Sequence, residues 1–549
     1  MMSTRCSALG RKEINRLSRR PMKIIERTAF WVQACGCLLL LALMPAFGSV
    51  VDFPQTPSEF FASTNLVTFR IVLDNRASQQ LEERAKTYVR GRVEVGDQVF
   101  DDVGIRLKGS GTFQPLYDHP SLSVKFNWRN PRQRFAGLTK LFLENSGQDA
   151  TRMCKALANG AYTDGGLAAP RITQARVYVN GRDLGSYVVS EAINKKFLKD
   201  HFGNDDGNLY EADFRDVNQM LRQANGSPGD QADLHALCRA AALTNRTERL
   251  QALGRVLEID QFLDYLAIEM ILGNWDGYAF HQNNYRLYHN PSSNRITVMP
   301  HDLDNTFFES GMCIVPPRKG LLTAALLDSE ATRQDFRQRV ARLAATVLDP
   351  QRIKQRIQAS IARLSEGATP EETDAVHHRG ALLEQCARDR LQNIQDQLAD
   401  RRPATPRFGS FNVASLSGWI ARPDWNDADV LMQMEEETPC LLVKAQGNYC
   451  FGSWRLPVWL PAGRYRVEGA VRASGVAGLP SQTGSGVGVR VIGGRRGGGI
   501  QGDCTPWTPV RHEFVVQPDC EWVELIAELR AFTGTAWFDP ETLRLVRIK

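Results

Sequence analysis

The stretch from Gly273 to Phe308, GNWDGYAFHQNNYRLYHNPSSNRITVMPHDLDNTFF, constrains the fold most, because it sets Asp276, Asn284, Asp302 and Asp304 around two short apolar runs. Asn284 to Tyr288 and Arg295 to Met299 are rich in β-branched and aromatic residues, and His289 to Asn294 between them is turn chemistry, so the pair predicts a β-hairpin. A hairpin folds the start of its first strand beside the end of its second. Asn284 and Asp302 are therefore expected to meet across eighteen positions. Carboxylates with one amide are the hard oxygen set that Mg²⁺ takes when phosphates complete its shell. An isolated D-x-D is more often a capped turn; Asp276 and Asn284 flanking the same hairpin favour the ligand reading.

The N-terminus reads as a targeting segment. Residues 1–29 carry eight Lys or Arg against two Glu, and Ala29 to Val51 is almost free of charge, with CLLLLALMPAFGSV at its heart. A basic lead, an apolar run and a small-residue exit near Ala46 to Ser49 predict a secretory signal peptide over residues 1–50, with an uncleaved membrane anchor as the alternative. The body is exported in both cases. Cys6, Cys35 and Cys37 lie in that segment, and the other eight divide as Cys154, Cys238, Cys313 and Cys386, then Cys440, Cys450, Cys504 and Cys520. None has zinc-site spacing, so they read as structural, with disulfides permitted by export. Net charge is +6 over 549 residues, with no basic stripe interleaved with aromatics, which speaks against nucleic-acid binding.

Residues 51–191 read as a sheet-rich lobe with one helix. Asn65 to Asp74 alternates, Gly91 to Val95 and Gln98 to Leu107 form a pair leading into RLKGSGT at Arg106 to Thr112, and Ser121 to Trp128 is a further strand. Backbone N–H groups of a turn at Gly109, Ser110 and Gly111 can close over phosphates, and a strand cation can neutralise them. Asp149 to Tyr162 predicts a helix, and Asn180-Gly181 a tight hairpin that leads to Glu191.

Residues 192–400 read as helical, with Ile259, Phe262, Leu263, Leu266, Met270 and Ile271 on one face and the opening hairpin following directly. A sheet-rich lobe with a glycine turn and a strand Lys, followed by a helical lobe carrying Asp, Asn and Asp, is the layout of a kinase with its nucleotide in the cleft. Residues 401–407 (RRPATPR) read as a linker. Residues 408–549 turn to short strands and Gly/Pro turns, which predicts a β-sandwich. Trp419, Trp425, Trp454, Trp507 and Trp522 are candidates either for its core or for stacking on sugar rings. The class is α+β throughout.

Several motifs in order, VGIRLKGSGT, RVYVNGRDLGSYVVSEAINKKFL with GNLYEADF, and NWDGYAFHQNNYRLY with VMPHDLDNTF, resemble the CotH kinases, named for spore coat protein H, over about Phe53 to Leu398. The resemblance implies a two-lobed atypical protein kinase-like fold that moves the γ-phosphoryl group of ATP to protein Ser or Thr hydroxyls with Mg²⁺ or Mn²⁺. By position, Asp276 resembles the catalytic Asp, Asn284 and Asp302 resemble metal ligands, and Asp304 a further ligand or an acceptor behind them. Arg106, Lys108, the glycine turn, Lys125 and Glu191 fall on the nucleotide side. The chain departs from the family at HPSLSVKF, which puts Ser123 where the ATP-binding Lys is expected; Lys125 lies two residues on, on the same face of the strand. The ending GTAWFDPETLRLVRI resembles the last hairpin of jelly-roll carbohydrate-binding modules, which makes a polysaccharide the candidate ligand there. Two function classes follow: an exported protein kinase acting on a protein substrate, or a catalytically inactive surface adhesion or assembly scaffold. The first is favoured by the acidic set, the second by Ser123. Membrane contact is expected only through the N-terminal segment.

Overall fold

The computed structural model describes residues 54–548 apart from 228, 230, 426–427, 436–437, 479–483 and 495–498. The targeting segment predicted over residues 1–50 lies outside them. Among the described residues no helix is long and apolar enough to cross a membrane. The chain from Pro54 onward forms one compact unit.

Helix α1 (Pro57–Ala62) starts on a capping box of Thr56 and Glu59, and strand β1 (Val67–Val72) and helix α2 (Asn75–Glu83) follow. Strands β2 (Val89–Val95), β3 (Gln98–Lys108), β4 (Ser121–Lys125), β5 (Lys140–Glu144), β6 (Ile172–Val179) and β7 (Arg182–Glu191) join β1 in a closed barrel of order β1-β2-β3-β4-β5-β7-β6. Closure comes from parallel pairing of β1 on β6, Val67 opposite Ala175 and Ile71 opposite Val179. The alternating pattern fills the interior with Phe69, Ile71, Val93, Ile105, Val124, Leu141 and Val177, all at most 1% exposed. Phe135 stacks on Phe126 and meets Phe60 edge-on. At the β6–β7 hairpin Asn180 and Gly181 both have positive φ, +49° and +78°, as a tight two-residue turn requires.

Helix α3 spans Cys154–Asp164. It starts five residues later than the apolar spacing predicts, because the Asp149 carboxylate takes the Thr151 and Cys154 N–H groups (3.0 Å each) and holds residues 149–153 in a turn.

The next region holds helices α4 (Lys195–Phe202), α5 (Ala232–Ala241), α6 (Arg246–Val256), α7 (Ile259–Ile271), α8 (Tyr278–His281), α9 (Leu321–Leu326), α10 (Glu330–Val347), α11 (Pro350–Ser365) and α12 (Pro370–Leu398). Embedded in it are β8 (Asn208–Glu211), β9 (Arg222–Asn225), β10 (Tyr285–Asn290) and β11 (Arg295–Pro300), in the order β11-β10-β8-β9. The hairpin predicted at 284–299 is thus half of a four-stranded sheet. A lone hairpin is marginal in water, and β8 completes it through Leu287 opposite Tyr210.

The C-terminal region is a nine-strand assembly: β12 (Val413–Ser415), β13 (Ile420–Trp425), β14 (Asp429–Glu435), β15 (Thr438–Trp459), β16 (Gly463–Ala477), β17 (Gly486–Val491), β18 (Gly502–Val516), β19 (Trp522–Phe538) and β20 (Arg544–Arg547). Its path is β12-β20-β16-β19-β15-β13, with β14 on β15, β17 on β19 and β18 on β16. Val443, Tyr465, Val467, Leu525, Phe538 and Leu545 form its core. Trp454 is buried there, its indole N–H donating to the Leu442 carbonyl at 3.2 Å.

The C-terminal strands are tied directly to the helical region. Buried Arg490 donates to Glu309 at 3.0 Å and pairs with Glu528 at 3.0 Å, and Arg422 donates to Ser310 at 2.5 Å, so the C-terminal strands grip the loop that follows the DLDN motif. Among the described cysteines, Cys154, Cys238, Cys313, Cys386, Cys440, Cys504 and Cys520 carry free thiols. Cys313, of the first group of four, and Cys520, of the second, line one cavity.

Candidate nucleotide and phosphoryl-transfer site

Helix α7 gives way to a turn at Gly273, where φ is +63° and a side-chain Cβ would come within 3.0 Å of the Glu309 carbonyl oxygen, so only glycine fits. Phe307 N–H donates to the Leu272 carbonyl at 2.8 Å and stitches the two site loops together. Glu269, fully buried on α7, accepts from the Tyr278 and Ala279 N–H groups at 3.2 and 2.6 Å, capping α8. Burial pushes its carboxyl up to about 7. Between Gly273 and α8 lies Asp276, with Asn283 donating to one carboxylate oxygen at 3.2 Å and Asn284 to the other at 3.0 Å. The side chain is thereby held at both oxygens.

The hairpin brings its ends together as the sequence predicts: His301 N–H donates to the Asn284 carbonyl at 2.9 Å. Asn284 and Asp302 both sit in the left-handed region, φ +52° and +51°, which turns them out of the strands. Asp302 keeps a side chain 40% exposed and accepts from Lys155. Burial works against its charge, yet Lys155 and Lys108 hold its carboxyl well below the usual range. Asp304 is buried, with Asn305 donating to it at 3.3 Å. Burial and then the charges of Asp302, Asp149 and Asp276 push it well above the usual carboxylate range. Beside Asp302, His301 is kept neutral by burial and by Arg286.

The barrel supplies the cations. In β3, β4 and β5 the residues Arg106, Ser123 and Phe142 share one register row, and Lys125 and Lys140 share the row two positions on, on the same face. Lys108 pairs with Glu144, which also accepts from Lys155 at 2.8 Å and from the Ser190 hydroxyl at 2.5 Å. Burial opposes the Glu144 charge, but Lys108 and Lys155 outweigh it and hold the carboxyl at about 2. A continuous relay therefore runs Lys108–Glu144–Lys155–Asp302. Lys140 is pushed down to about 8 by burial and then by Arg106, Lys125 and Lys108, and Lys86 is lowered by burial and by Arg106 and Lys108. So dense a cationic wall is matched to an anion of several charges, such as a phosphate chain.

The other residues singled out in the sequence fall as follows. Gly109 has φ +107°, and a Cβ there would lie 3.2 Å from Phe113 backbone atoms. Phe113 N–H closes the turn on the Ser110 carbonyl at 3.3 Å, and Lys86 ties down the Gly109 carbonyl. Gly111 has open space where a side chain would project. Lys125 lies with its ammonium 5.9 Å from the Tyr88 ring centre, and buried Ser123 shares a 2.9 Å hydrogen bond with the Tyr88 hydroxyl. Glu191 is engaged by Arg171 through contacts of 2.5 and 2.9 Å and lines a crevice with Glu144, Lys155 and Asp302.

The ammonium in contact with Asp302 thus comes from Lys155, which the sequence reading passes over. A signal is present: Lys155 is the one cation in CKALANGAYTD, and it lies on the buried side of that helix. Glu144, which lies before that helix, is its partner. A contact spanning 147 positions leaves no local trace of the pairing.

Asn284, Asp302 and Asp304 are the residues that could hold a divalent cation. Among the described residues no group of three or more His, Cys, Asp or Glu side chains forms a ready cation cage. However, the carboxylates of Asp302, Asp304, Asp149 and Asp276 act on one another here, with Lys155 as the contacting cation, and a dication would offset the surplus negative charge.

A family model described as CotH kinase protein matches residues 105–403, more than half of the chain. Inner spore coat protein H of Bacillus subtilis is 22% identical over 288 residues, 48% of this chain and 76% of that protein. Spore coat protein homolog 1 of Rhizopus delemar is 23% identical over 214 residues, 36% of this chain and 35% of that one. Invasin CotH3 of Rhizopus delemar is 24% identical over 230 residues, 38% and 37% of the two chains. The chain spans about a third of the length of these Rhizopus relatives. Among solved structures, the Helicobacter pylori proinflammatory kinase CtkA is 12% identical, covering 51% of this chain and 94% of that one at a TM-score of 0.28. TmCBM61 in complex with β-1,4-galactotriose is 16% identical, covering 24% and 89% at a TM-score of 0.17.

Proposed function

The chain belongs to the CotH kinase protein family, and on that premise we propose that it is an exported kinase that transfers the γ-phosphoryl group of ATP to protein Ser or Thr hydroxyls with Mg²⁺ or Mn²⁺. The observation that carries this reading is the relay Lys108–Glu144–Lys155–Asp302, which joins the cationic wall of the barrel to the acidic corner of the helical region. Asp276, oriented by Asn283 and Asn284, accepts the proton of the incoming hydroxyl. Lys155 and Lys108 neutralise phosphate oxygens, and the turn at Gly109 to Gly111 offers them backbone N–H groups. Asn284, Asp302 and Asp304 would hold the cation, which when bound offsets charge on the phosphates. Export rests on the basic and apolar leader and accords with relatives named as spore coat proteins and invasins.

The test is incubation of the purified chain with labelled ATP, Mg²⁺ or Mn²⁺ and a generic acceptor protein, beside Asp276→Ala and Asp302→Ala. Label on Ser or Thr that falls by about 10²-fold or more in both variants is expected. Incorporation that survives Asp302→Ala overturns the site.

The second reading, an inactive adhesion or assembly scaffold, is favoured by Ser123, which is buried against Tyr88 with no cation at that position. Lys155 weighs against it by supplying an ammonium to the same cleft from α3. For the C-terminal strands a polysaccharide ligand stays with the partly exposed Trp507 and Trp522, since Trp454 is committed to the core.

A further inference from the structure

The loop that carries Asp302 and Asp304 continues through Ser310 to Pro317 and runs against a turn of the C-terminal strands at Gln517 to Cys520. The two segments are joined at several points: the Arg318 N–H donates to the Gln517 side chain at 3.2 Å, the Cys313 thiol to the Asp519 carbonyl at 3.6 Å, and Arg333 on α10 pairs with the Asp519 carboxylate at 2.5 Å. The turn is itself closed by the Cys520 N–H on the Gln517 carbonyl at 3.1 Å. Cys313 and Cys520 line the same cavity at this junction.

We propose that Cys313 and Cys520 are a disulfide-forming pair whose bond fastens the loop following Asp302 and Asp304 to the C-terminal strands. Three observations converge on it. The Cys313 thiol already lies 3.6 Å from the carbonyl of Asp519, the residue next to Cys520, across an interface held by independent polar contacts, so little movement is needed to bring the two cysteines together. Both line a cavity of about 380 Å³ with Phe280, Lys319, His512 and Trp522, large enough to admit a small oxidant. Finally, the hydrogen bond from Cys520, with Arg337 and Arg390 nearby, lowers the Cys313 thiol, which favours the nucleophilic thiolate.

The oxidant is a small-molecule disulfide such as oxidised glutathione. The Cys313 thiolate attacks one of its sulfurs, forming a mixed disulfide and releasing one glutathione thiolate. Cys520 then attacks the Cys313 sulfur, the protein disulfide forms and the second glutathione leaves. The two protons lost by the cysteines end on the two glutathione thiols, and the two electrons of the protein's oxidation reduce the glutathione disulfide.

The experiment uses the full chain, reduced, then incubated with oxidised glutathione, with remaining thiols alkylated and peptides mapped without reduction. The expected result is a cross-linked peptide containing Cys313 and Cys520, with both lost from the alkylated pool. In Cys520→Ser the cross-link disappears and Cys313 carries glutathione. Recovery of both cysteines as alkylated thiols in the oxidised wild-type chain, separate glutathione adducts on each, or pairing of either with another cysteine overturns the proposal.

Discussion

Lys155 is the side chain on which the cleft turns. It is 7% exposed and bound to carboxylates from two regions of the molecule, so its replacement removes a phosphate-facing charge and also a structural tie. Lys155→Met is expected to lower kcat/KM for labelled phosphoryl transfer by about 10²-fold or more. Lys125→Ala, which removes an ammonium resting near Tyr88, is expected to cost less than about 10-fold. Steady-state kinetics on the two variants separate the lysine on the helix from the lysine on the strand. Glu269 gives a second residue-level expectation. Its carboxyl is raised from an ordinary 4.5 to about 7, so the folded chain binds that proton more tightly than the unfolded chain does. Its contribution is favourable at acid pH and is lost as pH rises through about 7, over a span of about 3 kcal/mol. Urea denaturation at pH 5 and pH 8 should show Glu269→Gln flattening that slope.

Elements whose residues contact near neighbours in the chain were legible in the sequence. Helix α7 and the hairpin at 284–299 follow from apolar spacing and turn residues, and Asn180-Gly181 specifies its own turn. Contacts between distant segments were not legible. Nothing near Val67 shows that β1 will lie parallel on β6, and the pairing of β8 with β10 hides in the short GNLYEADF run. The site divides in the same way: Asp276, Asn284 and Asp302 come together through a local hairpin, whereas Glu144 and Lys155 meet only once the barrel has set α3 against β5. Helix α12 contributes a further long-range tie. Fully buried Arg390 donates to the carbonyls of Ile271 (3.0 Å), Met270 (2.6 Å), Ser310 (3.1 Å) and Met312 (2.5 Å), clasping the end of α7 to the loop beyond the DLDN motif. Arg390→Ala removes the donor that these four carbonyls share, with Met312 keeping a second one from Gln397, and should destabilise the chain by about 4 kcal/mol, read as a shift in the urea midpoint.

The kinase-like region and the C-terminal strands share buried ion pairs, Glu309 with Arg490 at 3.0 Å and with Arg455 at 3.8 Å. Separating the two parts would expose those charges, so the chain from Pro54 onward should unfold in one calorimetric transition. Two well-separated transitions would show that the parts fold independently. Arg490→Met, which strips Glu309 and Glu528 of a counter-ion, is expected to cost about 3–5 kcal/mol and to lower the unfolding temperature of the whole chain. The closed barrel sets a limit on how an acceptor protein can be held. With β1 seated on β6 the wall has no free strand edge, so an incoming polypeptide cannot be added to it as one more strand. On the barrel side of the cleft, recognition falls to side chains rather than to the acceptor's backbone amides, and a peptide N-methylated at alternate positions should be gripped there as well as its parent.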